Sequence, residues 1–137
     1  MQNIVNKNQK EFVSLQAHEG VGKIRMKFFH QKHQKFRDAP DIPKVDKKLF
    51  KGSNWEFFSY AELPVGCTVG KHKHEDTDEI YFILEGDARI SINGESKRLR
   101  SGDVVLTRIG SVHSIDDVKE TLKFLAIEIF NNEGKEQ

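Results

Sequence analysis

From residue 55 onward the chain is written in short apolar runs cut by turn signals, and this rhythm restricts it to β structure. The run 55–63 stops at Pro64-Val65-Gly66, 79–84 at Glu85-Gly86-Asp87, and 88–92 at Asn93-Gly94. The run 104–107 follows Ser101-Gly102-Asp103, and 122–130 closes the series. Asn-Gly accepts left-handed backbone at both turn positions, so residues 93–94 are the strongest hairpin signal in the chain. After residue 50 no segment carries an apolar stripe at helical spacing. Strand-length runs recurring every 8–12 residues predict an all-β antiparallel sandwich or barrel. A length of 137 residues fits one such domain.

Two of these runs, Ile80-Tyr81-Phe82-Ile83-Leu84 and Phe124-Leu125-Ala126-Ile127, are apolar on both faces. A strand of that kind is covered twice, by its own core and by something else. The N-terminal segment or a second subunit can supply the second cover, and a homodimer is the expectation. Residues 1–50 carry eleven Lys/Arg against five Asp/Glu, and residues 51–137 carry eleven against sixteen. The net charge of +1 therefore joins a basic first part to an acidic second part. Residues 1–20 read as a loosely held or frayed arm. Residues 23–28 alternate, with Ile24, Met26 and Phe28 on one face, as an added strand would. Pro40 and Pro43 forbid regular structure around 38–43. The expected organisation is an arm and added strand over 1–50, a barrel over 51–131 and a tail over 132–137.

Near-neutral charge argues against nucleic-acid binding by bulk electrostatics. The basic run 23–37, with Phe28, Phe29 and Phe36 interleaved, reads as a solvated face whose aromatics dock on the barrel. Cys67 alone cannot form an internal disulfide and reads as a small buried hydrophobe. The first residues, MQNIVNKNQKEF, lack the apolar stretch of a signal peptide, and no segment approaches the length of a membrane span. A cytoplasmic protein without nucleic-acid or membrane partners is expected.

Chemistry concentrates between Gly66 and Glu79. In an extended strand, residues two apart face the same side, so His72 and His74 present two imidazoles together while Lys71 and Lys73 face solvent. Glu75-Asp76-Thr77-Asp78 is turn-compatible and too polar for a core. Such a turn returns Glu79 toward the two histidines. Two imidazoles and a carboxylate are a minimal set for a divalent transition metal, the alternative being surface histidines in a polar loop. His113 is a fourth candidate, or else a hydrogen-bonded structural histidine.

These residues resemble the cupin family. Its first motif has a glycine, five residues, His-x-His, a short spacer, Glu, six residues and a glycine; Gly66, His72, His74, Glu79 and Gly86 fill it. Its second motif is matched by Gly102, Gly110 and His113, with Arg108 in place of the usual proline and Asp117 where asparagine is frequent. The resemblance covers about residues 52–130. It implies a double-stranded β-helix, or jelly-roll barrel, with His72, His74, Glu79 and His113 binding one metal and one or two positions left open. It also implies dimers, often with an extended or exchanged N-terminal strand.

The implied metal is manganese or iron first, with zinc or nickel as alternatives, since this ligand type does not choose among them. Period two sends Tyr81 and Ile83 inward with Glu79. Tyr81 could position a substrate oxygen or donate a proton, or be a core ring. Glu128, the one carboxylate in 122–130, is expected as an edge residue at the strand's wet end; a partner to the ligands or a general base is the alternative. Phe57, Ser59 and Ala61 share a face whose direction the sequence leaves open. Arg108 reads as a solvated turn residue rather than a substrate anchor. The functional expectation is a small-molecule enzyme, either an isomerase or epimerase or an oxygen-dependent cleavage or decarboxylation enzyme. A non-catalytic binding or sensor protein is the alternative.

Overall fold

Eight strands carry the chain through the residues that the computed structural model describes, 6–32 and 52–131. They are β1 (Val13–Leu15), β2 (Ile24–Gln31), β3 (Trp55–Leu63), β4 (Val69–Lys73), β5 (Thr77–Ile92), β6 (Glu95–Leu99), β7 (Val104–Thr107) and β8 (Val112–Phe130). Their pairings are antiparallel, and β5 and β8 are long enough to serve two sheets each. The larger sheet runs β1-β2-β3-β8-β5-β7, using the second part of β8 and the first part of β5. The smaller runs β4-β8-β5-β6 through the remaining parts of the same two strands. This sheet folded on itself is the double-stranded β-helix that the resemblance implied.

Inward positions follow period two. Thr77, Glu79, Tyr81 and Ile83 of β5 are buried, and so are Leu122, Phe124, Ala126 and Glu128 of β8. On β3 the undecided face resolves: Phe57, Ser59 and Ala61 point into the core. Phe57 meets Phe28 edge-on at 5.4 Å, a favourable aromatic geometry.

Several expectations change. Glu85-Gly86-Asp87 does not end a strand; β5 runs through it with register shifts between Ile83 and Arg89. Gly86 sits at φ +116, and a Cβ there would lie 2.4 Å from the Thr121 carbonyl oxygen. The signal read as a chain reversal is a bend that carries β5 from one sheet to the other. Asn93-Gly94 is a true reversal, with φ of 50 and 85 joining β5 to β6. Thr77 is not part of a solvated turn: it is buried and opens β5.

Nor are residues 13–20 a frayed arm. The short strand β1 pairs with β2, and Leu15 and Ala17 are buried in the core. The added strand exists as β2, longer than residues 23–28 and hydrogen-bonded to β3. Its basic residues face outward over aromatics: the Arg25 guanidinium lies 3.8 Å and the Lys27 amine 4.5 Å from the Phe12 ring centre. Residues 33–37 of the basic run, the two prolines of 38–43 and the tail 132–137 lie outside the described residues. Cys67 is partly buried against the core. Among the described residues no helix is long and apolar enough to cross a membrane.

Candidate metal centre

Three strands bring the ligand candidates together. On β4 and β8, His72 and His113 are register partners, so their rings leave the same side of the sheet. His74 follows two residues after His72, and Glu79 enters from β5 opposite Glu128. One donor atom from each of His72, His74, Glu79 and His113 lies within 4.8 Å of all the others. His74, Glu79 and His113 are buried, and His72 is half-buried.

The outer nitrogens of the rings decide what the inner ones can do. His72 Nδ1 lies 2.8 Å from the Gly70 carbonyl, which only accepts, so the proton sits on Nδ1 and Nε2 is bare. His74 Nδ1 faces Thr77 Oγ1 at 3.2 Å and Glu128 Oε1 at 3.2 Å, while the Thr77 hydroxyl donates to Glu128 at 2.9 Å. That arrangement also places a proton on Nδ1 and turns a bare Nε2 inward. His113 Nδ1 pairs with Thr107 Oγ1 at 3.1 Å.

Inside, His113 Nε2 stands 2.8 Å from both His74 Nε2 and His72 Nε2. One proton on His113 can satisfy only one of these contacts. Glu79 Oε1 lies 3.1 Å from His74 Nε2 and 3.3 Å from His113 Nε2, yet is buried with no hydrogen-bond partner. Lone pairs converging without enough protons are a poor arrangement by themselves and a good one around a cation. The donors present fit one divalent transition metal.

Electrostatics agree with that fit. Burial alone would lower the His74 pKa, but the neighbouring carboxylates of Glu128 and Glu79 outweigh it and raise it to about 9. Burial and the neighbouring imidazoles of His72 and His74 push His113 down to about 3. Without a cation the cluster thus holds its proton on His74, between two carboxylates. Burial also raises Glu79, and Glu128 beside it adds to the effect. Tyr81 is held well above its ordinary value by burial and by Glu79, so its hydroxyl stays a donor. Its ring stacks on His113 at 5.7 Å.

Glu128 corrects the expectation of a residue at the strand's wet end: it is 5% exposed and bound to Thr77 and His74. Its parity with Phe124 and Ala126 was the available signal, because inward residues on one strand alternate. Arg108 is exposed and paired with Asp78 at 3.2 Å, a turn residue as read. Asp117 takes φ 46, the left-handed backbone that Asn and Asp tolerate best after glycine. Two residues escaped the sequence reading altogether. Thr77 looked like a loop residue, and His18, whose ring lies 3.5 Å from that of His72, stands 54 positions before it in an arm.

His72, His74 and Glu79 line a cavity of about 330 Å³. Ile24, Met26, Phe57, Phe124 and Ala126 give it an apolar wall, and Lys73, Glu75 and Asp76 lie among its polar lining.

The family description for the cupin domain matches residues 59–128. The oxalate-binding protein of Thermotoga maritima is 44% identical over 71 residues, 51% of this chain and 59% of that protein. An uncharacterised protein of Streptomyces coelicolor is 31% identical over 93 residues, 64% of this chain and 89% of its own. The first of these matches, like others to curated relatives, spans about half to three fifths of the relative's length. Among solved structures, one from Thermotoga maritima described as a predicted oxalate decarboxylase aligns with a TM-score of 0.76 at 28% identity. It covers 93% of this chain and 99% of that one. KdgF from Halomonas shares the fold, with a TM-score of 0.66 at 13% identity over 92% of this chain and 91% of that one.

Proposed function

The chain belongs to the cupin family, and on that premise we propose that it holds one divalent transition metal and uses it to chelate a small carboxylate. His72, His74, Glu79 and His113 are the ligands, and manganese or iron is the metal, with zinc or nickel the alternatives. The convergence of imidazole lone pairs and an orphaned Glu79 oxygen beside a cavity carries this reading. Bound there, the metal supplies a Lewis acid for a carboxylate or carbonyl oxygen and, as manganese or iron, a redox centre.

The chain's own groups narrow the chemistry. Lys73 is the only lysine or arginine among the described residues lining the cavity, so an anion would be held chiefly by the metal. Isomerisation or epimerisation needs a free base beside the substrate. Glu128, the carboxylate placed to serve, is occupied by Thr77 and His74. Tyr81 stays protonated beside Glu79 and so offers no base either. Oxygen-dependent cleavage or decarboxylation is therefore the favoured reaction class. The names of the Thermotoga maritima relatives, one a binder and one a predicted decarboxylase, support a two-carboxylate ligand and keep a non-catalytic binding role as the second reading.

Oxalate tests both. Calorimetry should show oxalate binding to manganese-loaded protein and none to protein stripped by a chelator. Equal binding by the stripped protein, or none by the loaded one, would overturn the reading. Carbon dioxide release or oxygen uptake assigns the enzyme, and binding without either assigns the binding protein.

We also propose a homodimer through the outer face of the larger sheet. Phe82 and Leu84 of β5 and Val104 and Leu106 of β7 are exposed there. In register they extend over Ile80, Leu125 and Ile127 as one apolar surface. Charged pairs flank it, Arg108–Asp78 on one side and Lys123–Glu85 on the other. An apolar centre with a polar rim is the anatomy of a protein interface, and a second copy can meet it with the same patch around a two-fold axis. Sedimentation should give twice the monomer mass, and Phe82→Glu should give monomers that still bind metal. A monomeric wild type would refute the assignment.

A further inference from the structure

Of the four ligand candidates, His72 is the one not fully buried, and the N-terminal segment covers it. The His18 ring lies flat on the His72 ring, 3.5 Å between centres and 9° between planes. We propose that His18 is a positioning residue of the metal centre, holding the His72 imidazole in its ligating orientation and slowing the metal's departure. This rests on the metal reading above and goes beyond it by assigning a role to a residue outside the ligand set and outside the matched region 59–128.

The segment is built to stay where it is. Gly70 N–H donates to the Ala17 carbonyl at 3.0 Å, and Thr68 N–H to the Val21 carbonyl at 2.8 Å. Val21 N–H donates to Thr68 Oγ1 at 2.7 Å, and Gln16 Nε2 to the Gly20 carbonyl at 2.8 Å. Residues 17–21 are thus clipped to β4 at both ends. Between the clips, His18 and Glu19 take φ of 52 and 61, left-handed backbone that costs energy in residues with a Cβ. Such backbone persists only where the surroundings enforce it. Two glycines allow the approach: a Cβ on Gly70 would stand 1.7 Å from the His18 carbonyl oxygen, and one on Gly20 2.3 Å from the Thr68 carbonyl oxygen. A strained segment held this closely, with its one ring laid on a ligand candidate, is a support for that ligand.

Stacking, rather than ligation, is what the geometry offers. The two rings are nearly parallel at stacking distance, and the donor atoms that converge within 4.8 Å of one another come from His72, His74, Glu79 and His113. His72 itself is pinned at one edge by the Gly70 carbonyl and on one face by His18. Removing the His18 ring takes the support from that face of His72, and the imidazole gains rotational freedom that a bound metal would have to quench. Partners that orient metal ligands typically contribute 10–100-fold to affinity.

The test compares His18→Ala with His18→Phe, which keeps a flat ring and removes the nitrogens. Each protein is loaded with cobalt(II), whose visible bands report the ligand geometry, and challenged with excess chelator. His18→Ala should release cobalt about 10-fold faster than wild type, with altered bands, and His18→Phe should return close to wild type in both. Release from His18→Ala at the wild-type rate would overturn the proposal. So would a His18→Phe protein as fast as His18→Ala, since the nitrogens would then be what matters. In the metal-free protein, proton NMR should show His72 ring resonances shifted upfield by the stacked ring, a shift that His18→Ala abolishes. Wild type that takes up no cobalt refutes the metal reading, while the NMR comparison still decides whether His18 orders His72.

Discussion

The His74→Ala protein, reconstituted with manganese, will hold less than half an equivalent of metal where wild type holds close to one. His74 contributes more than a nitrogen. Its Nδ1 is the contact through which Thr77 and Glu128 reach the centre, so alanine removes a ligand and strands a buried carboxylate. Loss of an orienting partner alone costs 10–100-fold in affinity, and loss of this ligand together with its partners should exceed about 100-fold. Glu128→Gln, which keeps an acceptor for Nδ1 and removes the charge, should fall between wild type and His74→Ala. The pH dependence has a definite sign. Because His74 holds a proton up to about pH 9, a metal must displace it. Below that pH, apparent affinity should fall by up to about tenfold per unit as acidity rises. Elemental analysis and competition with a chelator dye read these effects. Full metal content in His74→Ala would remove that residue from the ligand set.

The second large effect lies away from the ligands. Gly86→Ala places a Cβ 2.4 Å from the Thr121 carbonyl oxygen and 2.7 Å from Leu122 Cα, both backbone atoms that cannot swing aside. It also forces alanine into φ +116. Conformational strain of about 1–2 kcal/mol and overpacking of about 1–3 kcal/mol add to roughly 3 kcal/mol. For a domain of this size that corresponds to a loss of about 10 °C in melting temperature. Gly94→Ala is the matched control, because φ is +85 but no atom lies within 4 Å of the new Cβ. It should bear the strain alone, about 1–2 kcal/mol. Equal melting temperatures for the two variants would show that the crossing of β5 between sheets does not depend on the close approach at Gly86.

Most of the strands were legible because period two and turn chemistry are local. Residues 55–63 and 104–107 became β3 and β7 at the expected bounds, and Asn93-Gly94 became the expected reversal. Glu85-Gly86-Asp87 misled because a glycine with positive φ serves a bend as readily as a turn. Which of the two it makes depends on β8 running alongside. The four metal-ligand candidates followed from motif spacing, whereas their supports did not. Thr77 looks like any polar loop residue until Glu128 is placed 2.9 Å away. Glu128 had the parity of the inward residues, but a carboxylate near a strand's end is more often exposed. His18 carried no local signal, since its contact with His72 is made by tertiary clips between β4 and residues 17–21.

Placing the donors on three strands also fixes an order of events during biogenesis. His72 and His113 are 41 residues apart and become neighbours only when β8 lies against β4. In the unfolded chain His72, His74 and Glu79 lie within one short segment, whereas His113 is far from them in sequence. For the proposed ligand set to be complete, β8 must first lie against β4. Three imidazoles and a carboxylate bind the later divalent ions more tightly than manganese or iron. On the proposed ligand set, the ion bound would accordingly follow the pool of free metals where folding is completed. Protein produced under different metal supplies should differ in its metal while keeping the same fold.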